Sequence, residues 1–536
     1  MALSRIGWEM FFEGEGSGSK KSLEKWREML DGSGERWYDS TRKMYFKRER
    51  KEYFNMRKER RPISTDGVRN SIQELGVAKT LVLGLQHMFA MFGATILVPI
   101  LVMGYFQAAC GEPLTRGVTV STTLFCAGIG TLLFHVCTKL EVPAFLGSSF
   151  AFLGGFSTVA NLNSGAYATM SANDKVAYAC GGVVVAGLLY LVLAFVIKMV
   201  GVKRVMRFLP PVVTGPIIIC IGLTLASSAI SNASTNWLIA VVALAVIIVF
   251  NIWGKGMLKI IPILLGVIVA YLFAVVLHSF GVTNPDGSAI LSFSSVAEAS
   301  WVGLPNFQLC KFDVTSILVM APIAVASMME HIGDMSAISA TTKRNFIEEP
   351  GLQRTLLGDG LATALAGLIG GPANTTYGEN TGVLELSKVY DPLVIRLAAV
   401  YAIILSFIPK FSAIISTMPA SIIGGVSFML YGMISAIGVR NVVENKVDLT
   451  KSRNLIIAGV IFVCGLGFSS GLTFTFGDAH ITLTGLAIAA IAGILLNAIL
   501  PGKDYEFTGK PARADSGSFG NLGEGEEIRE IEFKRK

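Results

Sequence analysis

The chain has 536 residues, 52% of them hydrophobic and 15% charged, with a formal net charge of +7. It is too apolar for a soluble enzyme, and its charges sit in the arms and short loops rather than in the middle of the chain. The seven Cys residues are scattered, without CxxC or metal-type spacing, so no metal centre or bound cofactor is expected.

Met1 to Met10 lacks a basic stretch followed by an apolar one, so no cleavable signal peptide is expected. Residues 1–75 read as a basic cytoplasmic arm. Gly14 to Ser19 resembles a flexible linker, and Lys20 to Leu30 and Arg36 to Arg61 read as helices, the second stopped by Pro62. Lys and Arg interleaved with Trp37, Tyr38, Tyr45, Phe46, Tyr53 and Phe54 suit anionic headgroups. No nucleic-acid-binding module accompanies the charge, so no nucleic-acid partner is expected.

Apolar runs of spanning length follow near 79–103, 118–138, 142–160, 177–200, 207–228, 236–253 and 258–280. After a polar loop at 281–313 they resume near 314–336, 354–370, 372–387, 391–409, 412–438, 454–472 and 481–500. The expectation is an all-α polytopic membrane protein of about 14 transmembrane segments, with a cytoplasmic tail at 501–536. Loop charge supports the count. Lys139, Lys203, Arg204, Lys255, Lys343, Lys388, Arg440 and Lys451 fall in alternate loops, and the intervening loops are poor in Lys and Arg. Both termini are therefore expected inside, in the plasma membrane. Cys110 and Cys310 then both lie outside. A disulfide between them stays open, because sequence does not fix their distance.

The first seven segments, 79–280, and the last seven, 314–500, share their punctuation. Segment 3 has Pro143, Gly147-Ser148-Ser149 and Gly154-Gly155; segment 10 has Gly370-Gly371-Pro372 and Gly378 to Gly382. An odd number of spans per half makes the halves inverted repeats. Paired broken spans point to a transporter site at the midplane. Gly84 and Gly128 read differently, as close helix packing.

Three acids lie at membrane depth: Glu330, Asp334 and Glu379. Such groups face a cavity and mark a path for substrate or ion. Glu330 and Asp334, four apart, share one helical face, where two negative charges repel; a proton shared there fits proton coupling. Backbone N–H groups freed at the breaks suit carbonyl oxygens, the acids suit ring N–H donors, and Phe150 and Tyr377 offer aromatic faces. Together they fit a nucleobase better than a sugar, a lipid or an inorganic ion. His87, with Gln86 beside it, is a candidate site-orienting or proton-linked group, and Ser149, Asn380 and Thr381 are candidate supports. His331 points off the acidic face and reads as structural, while Asp359 is either a second buried acid or an inside-edge residue.

Gly84-Leu85-Gln86-His87-Met88-Phe89-Ala90-Met91-Phe92-Gly93, Pro143 through Phe152, Glu330-His331-Ile332-Gly333 and Asn374 through Asn380 resemble the nucleobase–ascorbate transporter family, and within it the bacterial uracil permeases. The likeness covers about 80–500 in register. It implies a core domain of segments 1–4 and 8–11, a gate domain of 5–7 and 12–14, a homodimer, and elevator-type proton symport. It also implies that Glu330 and Glu379 bind uracil, with the backbone at Phe150, Ala151 and Gly378 donating to its carbonyls. Two departures stand out. Ser387 replaces the usual Thr, and Asp334 stands where uracil permeases often have His and purine-transporting relatives have Asp. Xanthine or uric acid, with proton or sodium, is thus the alternative substrate. From other classes, a channel or an anion transporter of similar architecture remains the rival.

Overall fold

The computed structural model describes residues 67–469, 471–476 and 479–502. Of the expected arm only 67–75 fall among them, and the tail from 503 lies outside. Of the described residues, 72–76 belong to one compact unit and the others to a second. Within the first, residues 72–75 are helical. Every element below belongs to the second.

In chain order these are α1 (Val77–Cys110), α2 (Val120–Cys137), β1 (Leu146–Ser148), α3 (Leu153–Ala160), α4 (Ala172–Val200), α5 (Pro211–Thr224), α6 (Ala226–Ser234), α7 (Trp237–Trp253) and α8 (Pro262–Ser279). Then come α9 (Val314–Met320), α10 (Ile323–Thr342), α11 (Leu352–Leu368), β2 (Asn374–Thr376), α12 (Gly378–Ser387), α13 (Pro392–Ser406), α14 (Pro409–Ser416), α15 (Ala420–Glu444), α16 (Ser452–Gly467), β3 (Leu472–Phe476), β4 (Ala479–Leu483) and α17 (Gly485–Ile499). Among the described residues seven helices are long and apolar enough to cross a membrane, or eight if the α13–α14 pair, bent by 87°, counts as one span. The protein is a multi-pass, mostly helical membrane protein.

Two features depart from an all-α reading. The first is the antiparallel pair β1–β2, in register Leu146↔Thr376, Gly147↔Thr375 and Ser148↔Asn374. Extended backbone buried in protein has no water to bond, so the two segments bond each other. The second is the hairpin β3–β4, which lies mostly in the connection between the segments 454–472 and 481–500 and takes in the first residues of the latter. A boundary also moves: 412–416 belongs to α14, and the following helix starts at Ala420 after Pro419, which lacks the N–H to continue α14.

The helices pack in two sets. In one, α4 crosses α11, and α13 lies against α1 and α2; in the other, α15 gathers α5, α6 and α7, while α16 pairs with α17. Small residues set the distances. A Cβ on Gly187 would fall 2.7 Å from the Gly360 carbonyl. Gly84 and Gly128 both face α13, where a Cβ would meet Leu397 at 2.6 Å and Ile403 at 2.5 Å, so their reading as packing glycines holds. The chain entering α1 is stitched to the end of α12. Val68 N donates to Lys388 O at 2.8 Å, and Ser71 N and Oγ both donate to Asp391 Oδ2 at 2.7 Å. All seven thiols are free, so Cys110 and Cys310 form no disulfide in this structure. Cys110 Sγ instead lies 4.0 Å from the Ala160 carbonyl.

Candidate substrate site

The β1–β2 pair positions the site, and hydroxyl side chains hold it. Thr131 Oγ1 both donates to Leu146 O at 3.1 Å and accepts from Leu146 N at 2.9 Å. Thr363 Oγ1 donates to Asn374 O, and Asn374 Nδ2 donates to Cys126 O at 3.1 Å. The ladder extends at both ends: Ser149 N donates to Ala373 O and Tyr377 N to Phe145 O. From each strand the chain turns into a helix leading away. Phe150 and Ala151 form the tight turn before α3, and Gly378 opens α12. First-turn N–H groups and the positive end of a helix dipole thus lie beside the strand pair on both sides.

Tyr377 is buried with its ring over Gly147, where a Cβ would lie 2.3 Å from the ring. Its hydroxyl donates to Ser148 O at 2.9 Å, so it fastens one strand to the other. Ser148 Oγ in turn donates to Thr95 O on α1 at 3.0 Å. Phe150 points the other way, meeting Tyr431 of α15 edge to face with centroids 5.8 Å apart. Tyr105, Ser228 and Ser427 stand beside Tyr431.

The acids come from α10. Asp334 Oδ2 accepts from Thr376 Oγ1 at 2.9 Å, and a Cβ on Gly378 would lie 3.2 Å from Asp334 Oδ1. Asp334 therefore sits at the junction of β2 and α12, at the helix end that favours negative charge. Glu330 is buried one turn earlier, near Tyr190. Ser327 precedes it, its Oγ 3.4 Å from Ser149 Oγ. Glu379 lies in the first turn of α12, with its side chain outside the described residues.

His331 faces α11 instead. Its Nδ1 is 2.8 Å from Asp359 Oδ2 and its Nε2 is 3.0 Å from Thr355 Oγ1, with His331 and Asp359 fully buried. Asp359 is thus the buried acid, not an edge residue. Asn380 and Thr381 are buried on α12, and neither the amide nor the hydroxyl finds a protein partner. The expected tie from Asn380 to the broken span is not made. Asn374, whose amide reaches Cys126 O, serves there instead. Gln86 Nε2 and both ring nitrogens of His87 are likewise buried without a protein partner.

Sequence reading missed Tyr431, Tyr190 and Thr376. Tyr190 had a signal, a lone hydroxyl in the run Leu188 to Leu193. Thr376 had none, since its role depends on the strand pairing.

A family model described as a permease family matches residues 78–474. The uracil permease of Bacillus caldolyticus is 40% identical over 442 residues, covering 80% of this chain and 93% of that one. The uracil permease of Escherichia coli (strain K12) is 37% identical, covering 78% and 91%. The chain belongs to the nucleobase–ascorbate transporter family. The motifs that resemble this family meet in space: the Pro143–Phe152 and Asn374–Asn380 stretches carry the two strands, and the Glu330 stretch faces them from α10. Among solved structures the chain resembles murine Slc26a9, an anion transporter in the inward-facing state, with TM-score 0.53 and 10% identity over 79% of this chain and 68% of that one. At that identity the likeness concerns the fold alone.

Proposed function

We propose that this chain carries uracil into the cell together with a proton. The observation that carries the proposal is the junction at β1–β2, where two helix N-termini, Glu330 and Asp334 converge on one buried place. First-turn N–H groups suit the two carbonyl oxygens of uracil, and the carboxylates of Glu330 and Glu379 suit its ring N–H donors. The relatives named uracil permeases support the same substrate. A purine such as xanthine is the second reading, favoured by Asp334 in the position where purine-transporting relatives have it. Competition of labelled uracil uptake by xanthine, uric acid, hypoxanthine, adenine and cytosine separates the two.

Among the described residues, seven or eight helices of spanning length and four shorter apolar helices are compatible with the proposed fourteen segments, if α11 and the β2–α12 unit are also counted as spans. On this reading they form inverted repeats at 79–280 and 314–500, joined by an outer loop at 281–313. The set around α4, α11 and α13 is the core, and the set around α15 is the gate. The core slides against the gate within a homodimer, with both termini inside the plasma membrane. Asp286 lies in an exposed turn where its Oδ1 accepts from Ser288 N at 2.9 Å, a convenient reporter of side. A Cys at 286, on a background without reactive Cys, is expected to react with an impermeant reagent in intact cells. Reaction only after permeabilisation would invert the topology.

Glu379→Gln tests the substrate role. It keeps shape but replaces a charge-assisted bond contributing roughly 1.5–3 kcal/mol. Uracil affinity is expected to fall at least about tenfold, equivalent to ~1.4 kcal/mol. Equilibrium binding to the purified variant checks this, and unchanged affinity would remove Glu379 from the site.

A further inference from the structure

Away from the strand pair, the ends of α5, α15, α16 and α17 enclose a cleft of about 200 Å³. Its charged lining is Arg207, Lys446, Lys451 and Arg453 against a single acid, Asp448. The cleft is built rather than incidental. Arg453 Nη2 donates to Asn497 Oδ1 at 2.7 Å, and Asn497 Nδ2 donates to Arg207 O at 3.1 Å, so the wall ties three chain segments together. The acid is already engaged: Asp448 Oδ1 accepts from Thr450 N at 3.0 Å and from Thr450 Oγ1 at 2.5 Å. Among the described residues Arg207 and Lys446 have no acidic partner. Both α5 and α16 begin here, and neither has a side-chain N-cap, so two helix dipoles add positive potential.

Arg207 and Lys446 beside two helix N-termini suit a compact oxyanion such as a phosphate. The neighbouring surface says which kind. Phe208, Leu455 and Ile499 are 46%, 59% and 75% exposed at the same helix ends, an apolar rim that suits acyl chains and offers nothing to a soluble anion. We propose that this cleft binds the phosphate of an anionic phospholipid headgroup. All four helices of the cleft belong to one packing set, so the lipid would fasten that set to the leaflet and leave the other free.

The test uses thermal unfolding of the full chain in detergent, with added phosphatidylglycerol, phosphatidylcholine or inorganic phosphate at fixed ionic strength. The parent is expected to gain several degrees more from phosphatidylglycerol than from phosphatidylcholine. The triple variant Arg207→Gln, Lys446→Gln, Lys451→Gln is expected to gain equally from both. Lys198→Gln, Lys203→Gln, Arg204→Gln removes the same charge outside the cleft and is expected to behave like the parent. Arg207→Gln alone, at an exposed position, is expected to lose part of the preference, which keeps the test decisive if the triple variant folds poorly. Protection by inorganic phosphate but not by phosphatidylglycerol would overturn the lipid and assign the cleft to a soluble phosphate. No preference in the parent, or the same preference in the triple variant, would overturn the site altogether.

Discussion

Asp359→Ala is expected to destabilise the protein by roughly 3–5 kcal/mol, the cost of breaking a buried pair by removing one partner. Asp359 and His331 are both fully buried, 2.8 Å apart, and Thr355 Oγ1 already occupies the other ring nitrogen at 3.0 Å. With Asp359 gone, His331 Nδ1 is left buried facing a hole in the α10–α11 contact. Asp359→Asn keeps an oxygen acceptor and should cost far less. Midpoints of thermal unfolding in one detergent rank the two. Their order is meaningful even where unfolding is irreversible, provided the scan rate is held fixed. On the proposed reading the pair also bears on function, because His331 anchors α10, the helix that presents Glu330 and Asp334, against α11. Uracil binding should weaken in Asp359→Ala more than in Asp359→Asn. An Ala variant as stable as the parent would mean that the pair contributes nothing to the helix contact.

That pair also marks the limit of what sequence can reveal here. Helix existence was legible, since a bilayer demands long apolar runs and few other patterns satisfy it. Gly and Pro marked the stretches that carry β1 and β2 as departures from continuous helix, and apolar surroundings singled out Glu330 and Asp334, which are buried on α10. What could not be read was pairing across chain distance. Thr376 meets Asp334 only because β2 lies antiparallel to β1, and β1 sits more than 200 residues earlier. His331 finds Asp359 only because α10 and α11 lie side by side, so a carboxylate that sequence could not place resolves into a partner. Sequence could place Tyr377 beside a break but could not show that its hydroxyl donates to Ser148 O and its ring covers Gly147. The β3–β4 hairpin was invisible for a different reason. Its first strand falls in the connection after 472, and Ile481 to Leu483 were read as the start of the last span.

Asp334→Asn is expected to bind uracil and yet fail to accumulate it. The side chain keeps an oxygen to accept from Thr376 Oγ1, so the β2–α12 junction should survive, but it loses the group that gains and releases a proton. Glu330 lies one turn away on α10, so on the proposed reading the proton belongs to the pair of carboxyls rather than to Asp334 alone. Uracil is neutral near physiological pH, so a proton carried with it moves one positive charge inward. The membrane potential then contributes about 2.3 kcal/mol per 100 mV, or roughly fiftyfold accumulation before any pH gradient is added. The parent's uptake should therefore fall as external pH rises and collapse with an uncoupler. Asp334→Asn should instead equilibrate labelled uracil across the membrane and stop there, indifferent to both. Proteoliposomes with an imposed pH gradient separate binding, exchange and accumulation in one preparation. If the variant accumulates uracil as steeply as the parent, the proton travels on another group. His87 is then the next candidate, buried in α1 with both ring nitrogens free of protein partners. His87→Gln would be the variant to carry through the same assay.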